Sequence, residues 1–392
     1  MKFRTVIVSL AFIALVTQAI PITSSGCLLP ALTLYPDARG AHAMTFDPYN
    51  GVAVVFGGTS LDGGIHSLSD TLTYSYPDSQ WAEHMCPESP TARSNGAMVY
   101  CNQTNEIFMF GGHGVTDTWI FSCETQTWSE VEPAINPGIH HSLALAYDPV
   151  ENVVVLFGGF DSEGFECDDT WKFDMATREW SDLAPTTTPL ARYGHVMVYD
   201  ESIGLIVMTS GNTASQGHQQ DTWTFNVASN TWTELNPTGD PDRLKWPSMT
   251  YDSVNQKCIL FGGQIGDYAV DRTWVYDGQA NTWTRRYPAT APAERINTGL
   301  AFDPENNVTI LFGGMHLGVS VFMFHDTWTY SYETNVWTNM TYSSSSTTTT
   351  ASTTPTIPNV PGFEPMLLYL IPSAMVIGAV VVMTLIIRKR RV

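Results

Sequence analysis

The sequence predicts an all-β fold, a six-bladed β-propeller, and three observations in register carry that prediction. Six times a tryptophan, or a leucine in the first copy, is followed nine residues later by a second tryptophan: Leu72/Trp81, Trp119/Trp128, Trp171/Trp180, Trp223/Trp232, Trp274/Trp283 and Trp328/Trp337. Ahead of each pair lies a β-branched or aromatic run that ends on small residues. Val52 to Gly58, Ile107 to Gly112, Val153 to Gly159, Cys258 to Gly263 and Thr309 to Gly314 all end in Gly-Gly, and only Ile206 to Gly211 departs, with Ser-Gly. Between run and pair stands Asp-Thr-Trp or a near copy, as at Asp117-Thr118-Trp119 and Asp326-Thr327-Trp328. The period, roughly 50 residues, is that of a propeller blade.

Each repeat contains four short strand signals separated by turn residues, read in the fourth copy as Tyr193 to Tyr199, Gly204 to Thr209, Thr222 to Val227 and Thr231 to Leu235. Four strands make one blade. The glycine pair removes Cβ where a strand ends in a tight bend and another backbone or ring must come close. A tryptophan buried between blades takes about 200 Å² out of water, roughly 5 kcal/mol before entropic costs. The paired rings are therefore read as the packing between blades, and Trp246 is the one tryptophan outside the pattern.

These strings resemble the kelch repeat over residues 39–342. The resemblance implies a kelch-type propeller whose variable loops carry the function. It also widens the function classes, because kelch folds include binding modules as well as a copper radical oxidase, iron-dependent specifier proteins and a sialic acid epimerase.

The elements then follow in chain order. Residues 1–26 have the layout of a secretory signal peptide: Lys2 and Arg4, an apolar run from Val6 to Val16, then small residues around Ala19 and Gly26. Residues 27–342 form the propeller, and Leu28 to Tyr35 offer an additional closing strand, although the sixth repeat supplies four of its own. Residues 343–365 are a Ser/Thr/Pro-rich stalk suited to O-glycosylation. Residues 366–387 carry no charge and are long enough for a transmembrane helix. The basic tail, residues 388–392, marks the cytoplasmic side and places the propeller outside the cell membrane. Pro361-Gly362-Phe363-Glu364 before that helix resembles the PGF-type sorting signals of archaeal surface proteins. That resemblance implies a second form, lipid-anchored at the cell surface after removal of the helix.

Charge narrows the partners. Six of the 18 basic residues lie in the terminal segments, which leaves 12 in residues 27–365 against all 38 acidic ones. Nucleic acid is excluded as a partner, since phosphate contacts need clustered Lys and Arg. The cysteines, at 27, 86, 101, 123, 167 and 258, show no CxxC spacing, so neither a metal nor any other cofactor is expected. Cys101 ends the first strand of the second repeat and Cys123 follows the third, so both lie at one end of the same blade and are the expected disulfide. Asn102, Asn307 and Asn339 open glycosylation sequons.

Candidate binding residues fall on one face. The connections Thr59 to Ser69, Phe160 to Asp168, Asn212 to Gln220, Gln264 to Asp271 and Met315 to His325 are long, whereas the opposite turns are compact. Recognition is placed on this long-loop face. Arg39, Arg93, Arg192 and Arg295, with His140 in the third repeat, stand eight residues before the Asp or Cys that ends each first strand. Such a ring at the channel mouth suits bidentate capture of a carboxylate, the use that kelch proteins binding acidic peptides make of similar positions. The competing reading pairs each arginine locally. The acidic loop Phe160 to Asp169 lacks calcium-loop spacing and reads as solvated, and His66, His113, His218, His316 and His325 as scattered surface groups. The expected function is a cell-surface module that binds a protein or glycan ligand, acidic if the arginines take part. The alternative is an extracytoplasmic carbohydrate-modifying enzyme resembling the sialic acid epimerases, with no catalytic residue assignable.

Overall fold

A computed structural model describes residues 35–318 and 320–341. The signal peptide, stalk, transmembrane helix and tail lie outside the described residues, as do residues 28–34. No helix among the described residues is long and apolar enough to cross a membrane.

Short strand segments separated by turns, with the second of each repeat a continuous buried apolar run, fold each repeat into an antiparallel sheet of four strands, to which blade four adds Gly217–His218. The first is Ala43–Asp47, Val52–Phe56, Thr71–Ser75 and Gln80–His84 in sequence order, and five more sheets repeat the pattern. The inner strands Ala43–Asp47, Ala97–Cys101, Ala144–Asp148, Tyr193–Asp200, Ser248–Asp252 and Gly299–Asp303 neighbour one another around a central channel. Each ends on an Asp or Cys. In blades one, three, four, five and six the Asp carboxylate accepts backbone N–H groups of the following turn, as Asp148 does from Val150 at 2.8 Å.

The core is six apolar layers, each drawn from two adjacent blades. The second tryptophan of every pair lies in one of them, from 1% exposed at Trp337 to 7% at Trp81. Its indole Nε1 donates to the threonine of Asp-Thr-Trp in the preceding blade: Trp128 to Thr71, Trp180 to Thr118, Trp232 to Thr170, Trp283 to Thr222 and Trp337 to Thr273, at 2.9–3.1 Å. Trp81 donates to Thr327 of the sixth blade and so closes the circle. The phenylalanine before Gly-Gly packs on the same indole, Phe312 on Trp81 at 4.4 Å between centroids and Phe56 on Trp128 at 5.4 Å. Blade four has Thr209 at that position, and its second strand runs on to Thr213 through Ser210 and Gly211.

The first tryptophans behave differently. Trp119 is buried, whereas Trp171, Trp223, Trp274 and Trp328 are half-buried and pack against the edges of the same interblade layers. Their indole N–H groups instead donate to an aspartate, as Trp171 does to Asp169 at 2.7 Å.

No strand from elsewhere is needed to close the ring, because blade six is complete from its own repeat. Two backbone circuits accompany the tryptophan circuit. One joins Gly58 N–H to Arg93 C=O, Gly112 to His140, Gly159 to Arg192, Gly211 to Leu244, Gly263 to Arg295 and Gly314 to Arg39, at 2.8–3.1 Å. A Cβ on the preceding glycine would meet that carbonyl, at 2.5 Å for Gly262 against Arg295 and 2.6 Å for Gly57 against Arg93. The second circuit runs at the channel mouth: Ala41 N–H donates to Asn297 C=O, Asn297 to Trp246, Trp246 to Gly194, Gly194 to Ser142, Ser142 to Asn95 and Asn95 to Ala41. All six of those residues have positive φ.

Candidate functional site

The structure reassigns the ring of basic residues. Arg39, Arg93, His140, Arg192 and Arg295 sit in the loops leading into the inner strands, four residues before Ala43 in the case of Arg39, and each is 0–3% exposed. Arg192 Nη1 and Nη2 donate to Asp221 Oδ1 and Oδ2, both at 2.7 Å, while Nη1 also donates to Ser210 C=O and Nε to Leu190 C=O. Arg39 with Asp70, Arg93 with Asp117 and Arg295 with Asp326 repeat this geometry. His140 faces Asp169 at 3.3 Å. Each guanidinium is thus spent on its own blade, and the carboxylate-capturing ring gives way to a belt of internal pins. The case for an acidic ligand rested on these groups and goes with them.

The aspartates report the same pinning. Burial opposes ionisation of Asp117 and Asp326, but hydrogen bonds from Arg93 and Trp119, and from Arg295 and Trp328, outweigh it and hold both carboxyls below their usual range. In blade five the charges are exchanged: Arg272 stands at the Asp position and pairs with Asp242, while Leu244 fills the buried site. Arg272-Thr273-Trp274 was the sequence signal for this swap.

The expected disulfide is also corrected. Cys101 and Cys123 are buried free thiols, and Cys258 and the half-buried Cys167 are free as well. The strand Glu106–Phe110 lies between the strand ending at Cys101 and the one preceding Cys123, so the two cysteines stand about two strand spacings, roughly 9.6 Å, apart. A disulfide spans at most about 7 Å between Cα atoms. Cys86 is the disulfide-bonded cysteine among the described residues. Of the sequon asparagines, Asn102 and Asn339 are exposed, whereas Asn307 is half-buried and accepts from Asn255 Nδ2 at 3.0 Å.

The channel is lined by inner strands and divided at mid-height. Met44, Met98, Leu145, Met197, Met249 and Leu300, each three residues before its strand's terminal Asp or Cys, border both an upper cavity of about 200 Å³ and a lower one of about 280 Å³. His42 and His195 face the upper cavity with buried rings; both His42 nitrogens are unpartnered, and His195 has at most a weak contact with the Phe157 backbone. Burial, then the nearby Arg39 or Arg192, pushes each imidazole down to about 3, so both are neutral.

Above the mouth the long loops build a crown. Short hairpins Thr59–Ser60 with His66–Ser67, Gln264–Ile265 with Tyr268–Ala269 and Met315–His316 with Phe322–Met323 project from blades one, five and six. Their tips, and that of the third-blade loop, expose apolar side chains: Ile65 at 83%, Tyr268 at 72%, Phe165 at 65% and Val321 at 52%. Inside them opens an apolar funnel of about 420 Å³, walled by Leu61, Ile65, Phe160, Trp246, Val321 and Met323 among others. His113, His141, Phe160 and Trp246 of its wall belong to a run of ring contacts, His113–His141–Phe160–Tyr193–Trp246, in which Tyr193 stands behind the wall and successive centroids are 5.0, 5.2, 4.2 and 5.9 Å apart.

Trp246 is the residue of that rim whose role the repeat pattern left open. It holds φ +55°, a strained value for a bulky residue, and its buried Nε1 has no partner. Gly194 makes room for it, since a Cβ there would lie 2.5 Å from the indole Cδ1. Lys245 Nζ sits 4.4 Å from the ring centroid. Exposed acids surround the crown, among them Asp62, Glu163, Asp168, Asp267 and Asp271.

Comparison with known proteins agrees with this architecture. The family model described as the KLHDC2/KLHL20/DRC7 Kelch-repeats domain matches residues 23–188 and again 140–358. Mei4-dependent protein 6 of Schizosaccharomyces pombe is 23% identical over 158 residues, 37% of this chain and 22% of that protein. Kelch domain-containing protein 10 of Xenopus tropicalis is 26% identical over 132 residues, 32% of this chain and 31% of that protein, and its Xenopus laevis counterpart 25% over the same length. The alignments cover less than a third of each relative's own length.

Proposed function

We propose that this chain, which belongs to the kelch-repeat family, binds a protein partner through the long-loop mouth of its propeller. One observation carries the reading: an apolar funnel rimmed by aromatic rings opens beneath exposed apolar loop tips on a single face. An apolar pocket inside a polar surround is the anatomy of a protein-binding hot spot, where a buried side chain of the partner supplies most of the affinity. The acids around the crown favour a partner segment that pairs an apolar anchor with Lys or Arg, which speeds encounter and weakens with salt. Peptide and glycan arrays probed with the purified protein test the reading. Basic, apolar peptides should be retained, and Tyr268→Asp should abolish retention while Val150→Asp on the opposite face should not. Selective retention of glycans, or equal loss from both variants, would refute it.

Display on the outer face of the cell membrane belongs to the same proposal and rests on sequence: the N-terminal apolar segment, the Ser/Thr/Pro-rich stretch and the uncharged run before Arg388. Protease added to intact cells should then digest the propeller. A propeller that survives until the cells are lysed would overturn this part alone.

A further inference from the structure

Blade three breaks the belt of pins in two positions at once. The other blades hold an arginine–aspartate pair, and the residue two places before the Asp-Thr-Trp position is Leu68, Val115, Gln219, Val270 or Phe324. In blade three the arginine is His140 and that neighbour is Cys167. Its side chain belongs against the pin, since Phe324 in blade six lies with its ring 3.7 Å from the Arg295 guanidinium carbon. His140, Cys167 and Asp169 consequently bring an imidazole nitrogen, a thiol sulfur and a carboxylate oxygen together, all within 4.8 Å of one another.

We propose that His140, Cys167 and Asp169 form a binding site for a divalent metal ion of zinc type. The donor set is mixed nitrogen, sulfur and oxygen, which suits a borderline ion and neither Ca²⁺ nor Mg²⁺. Ligand atoms on a tetrahedral Zn²⁺ stand about 3.3 to 3.8 Å apart. His140 Nε2 already lies 3.2 Å from Asp169 Oδ2, and the Cys167 sulfur, within 4.8 Å of both, must close by about 1 Å.

The surroundings are fixed in advance. Cys167 N–H donates to Gly159 C=O at 2.9 Å, and its own carbonyl accepts from Arg192 N–H at 3.1 Å. Asp169 is oriented by the Trp171 indole N–H, the kind of outer partner that ligating carboxylates have. His140 as a plain substitute for arginine is poorly satisfied: it is 3% exposed and its one polar contact, Nε2 to Asp169, is long at 3.3 Å. The Asp169 side chain is 33% exposed, which gives the ion a way in and leaves a fourth position for water or a donor from a partner. CxxC spacing, the usual sequence mark of such a site, is absent here; the three ligands converge only through the register of the repeat.

Cobalt(II) titration of the purified full-length chain tests the site, because a thiolate ligand adds a sulfur-to-cobalt charge-transfer band that imidazole and carboxylate cannot produce. The expected result is one equivalent bound with that band, and its displacement by Zn²⁺. His140→Arg and Cys167→Val copy what other blades contain at these positions, so both should fold. Each should lose the band and weaken binding by more than roughly 100-fold, beyond the loss typical of an outer hydrogen-bonding partner. A wild-type titration without the band, or a Cys167→Val protein that binds like wild type, overturns the proposal.

Discussion

Replacing Arg192 by alanine should destabilise the propeller rather than impair recognition. Arg192 is 0% exposed and makes four donations, two to Asp221 and one each to the Ser210 and Leu190 carbonyls. Removing one partner of a buried ion pair costs about 3–5 kcal/mol, largely because the other charge stays behind without compensation. Asp221 retains 18% side-chain exposure, so water recovers part of that loss and the lower end, about 3 kcal/mol, is expected. At roughly 2 °C per kcal/mol for a domain of this size, the melting temperature should fall by about 6 °C. Urea unfolding followed by tryptophan fluorescence reads the change directly. Exposed Arg243→Ala serves as the control and should stay within about 0.5 kcal/mol of wild type. The double variant Arg192→Ala/Asp221→Ala should cost less than the sum of the single ones, since it leaves no unpaired charge. If Arg192→Ala proves as stable as the control, the arginine is not a pin, and its charge is again available to a ligand.

Three further outcomes follow from the same geometry. Thr273→Val deprives the buried Trp337 indole N–H of its acceptor at 3.0 Å and should cost about 1–3 kcal/mol in urea unfolding. Gly262→Ala places a Cβ 2.5 Å from the Arg295 carbonyl at φ +73°, so it should lower the melting temperature clearly, whereas Gly266→Ala, at φ +55° with open space around it, should cost only about 1–2 kcal/mol. Stability should also fall with acidification below about pH 6.5, because His42 and His195 titrate at about 3 when folded and near their ordinary value when unfolded. In that window the unfolded chain binds more protons, so each histidine contributes a loss of up to about 1.4 kcal/mol per pH unit, present down to the folded value. Urea midpoints at pH 7.5 and 5.5 measure it, and a flat profile would mean that the two rings are hydrated.

The sequence made the blades legible because each repeat carries its own strand and turn signals in phase, and four strands of the fourth copy fall within a residue or two of their positions in the fold, except where Ser210-Gly211 lets the second strand run on. Phase alone also brought Arg39, Arg93, His140, Arg192 and Arg295 to one level. It did not say which way they face, and the aspartates that consume them lie 24 to 31 residues away in the chain. That partnership was still partly visible in blade five, where Asp242 and Arg272 exchange charges. The mouth was harder to read. Trp246 had no partner in the repeat, and its rim is assembled from loops of several blades whose side chains follow no period.

Titration of an array-derived peptide against wild-type protein and Trp246→Ala tests the central claim, that the mouth is where a partner binds. Trp246 lies in the wall of the funnel and ends the aromatic rim, so its removal should weaken binding by at least about 2 kcal/mol, close to 30-fold, with the urea midpoint little changed. Unchanged affinity in Trp246→Ala, with loss in Val150→Asp instead, would put the binding surface on the opposite face and contradict the account.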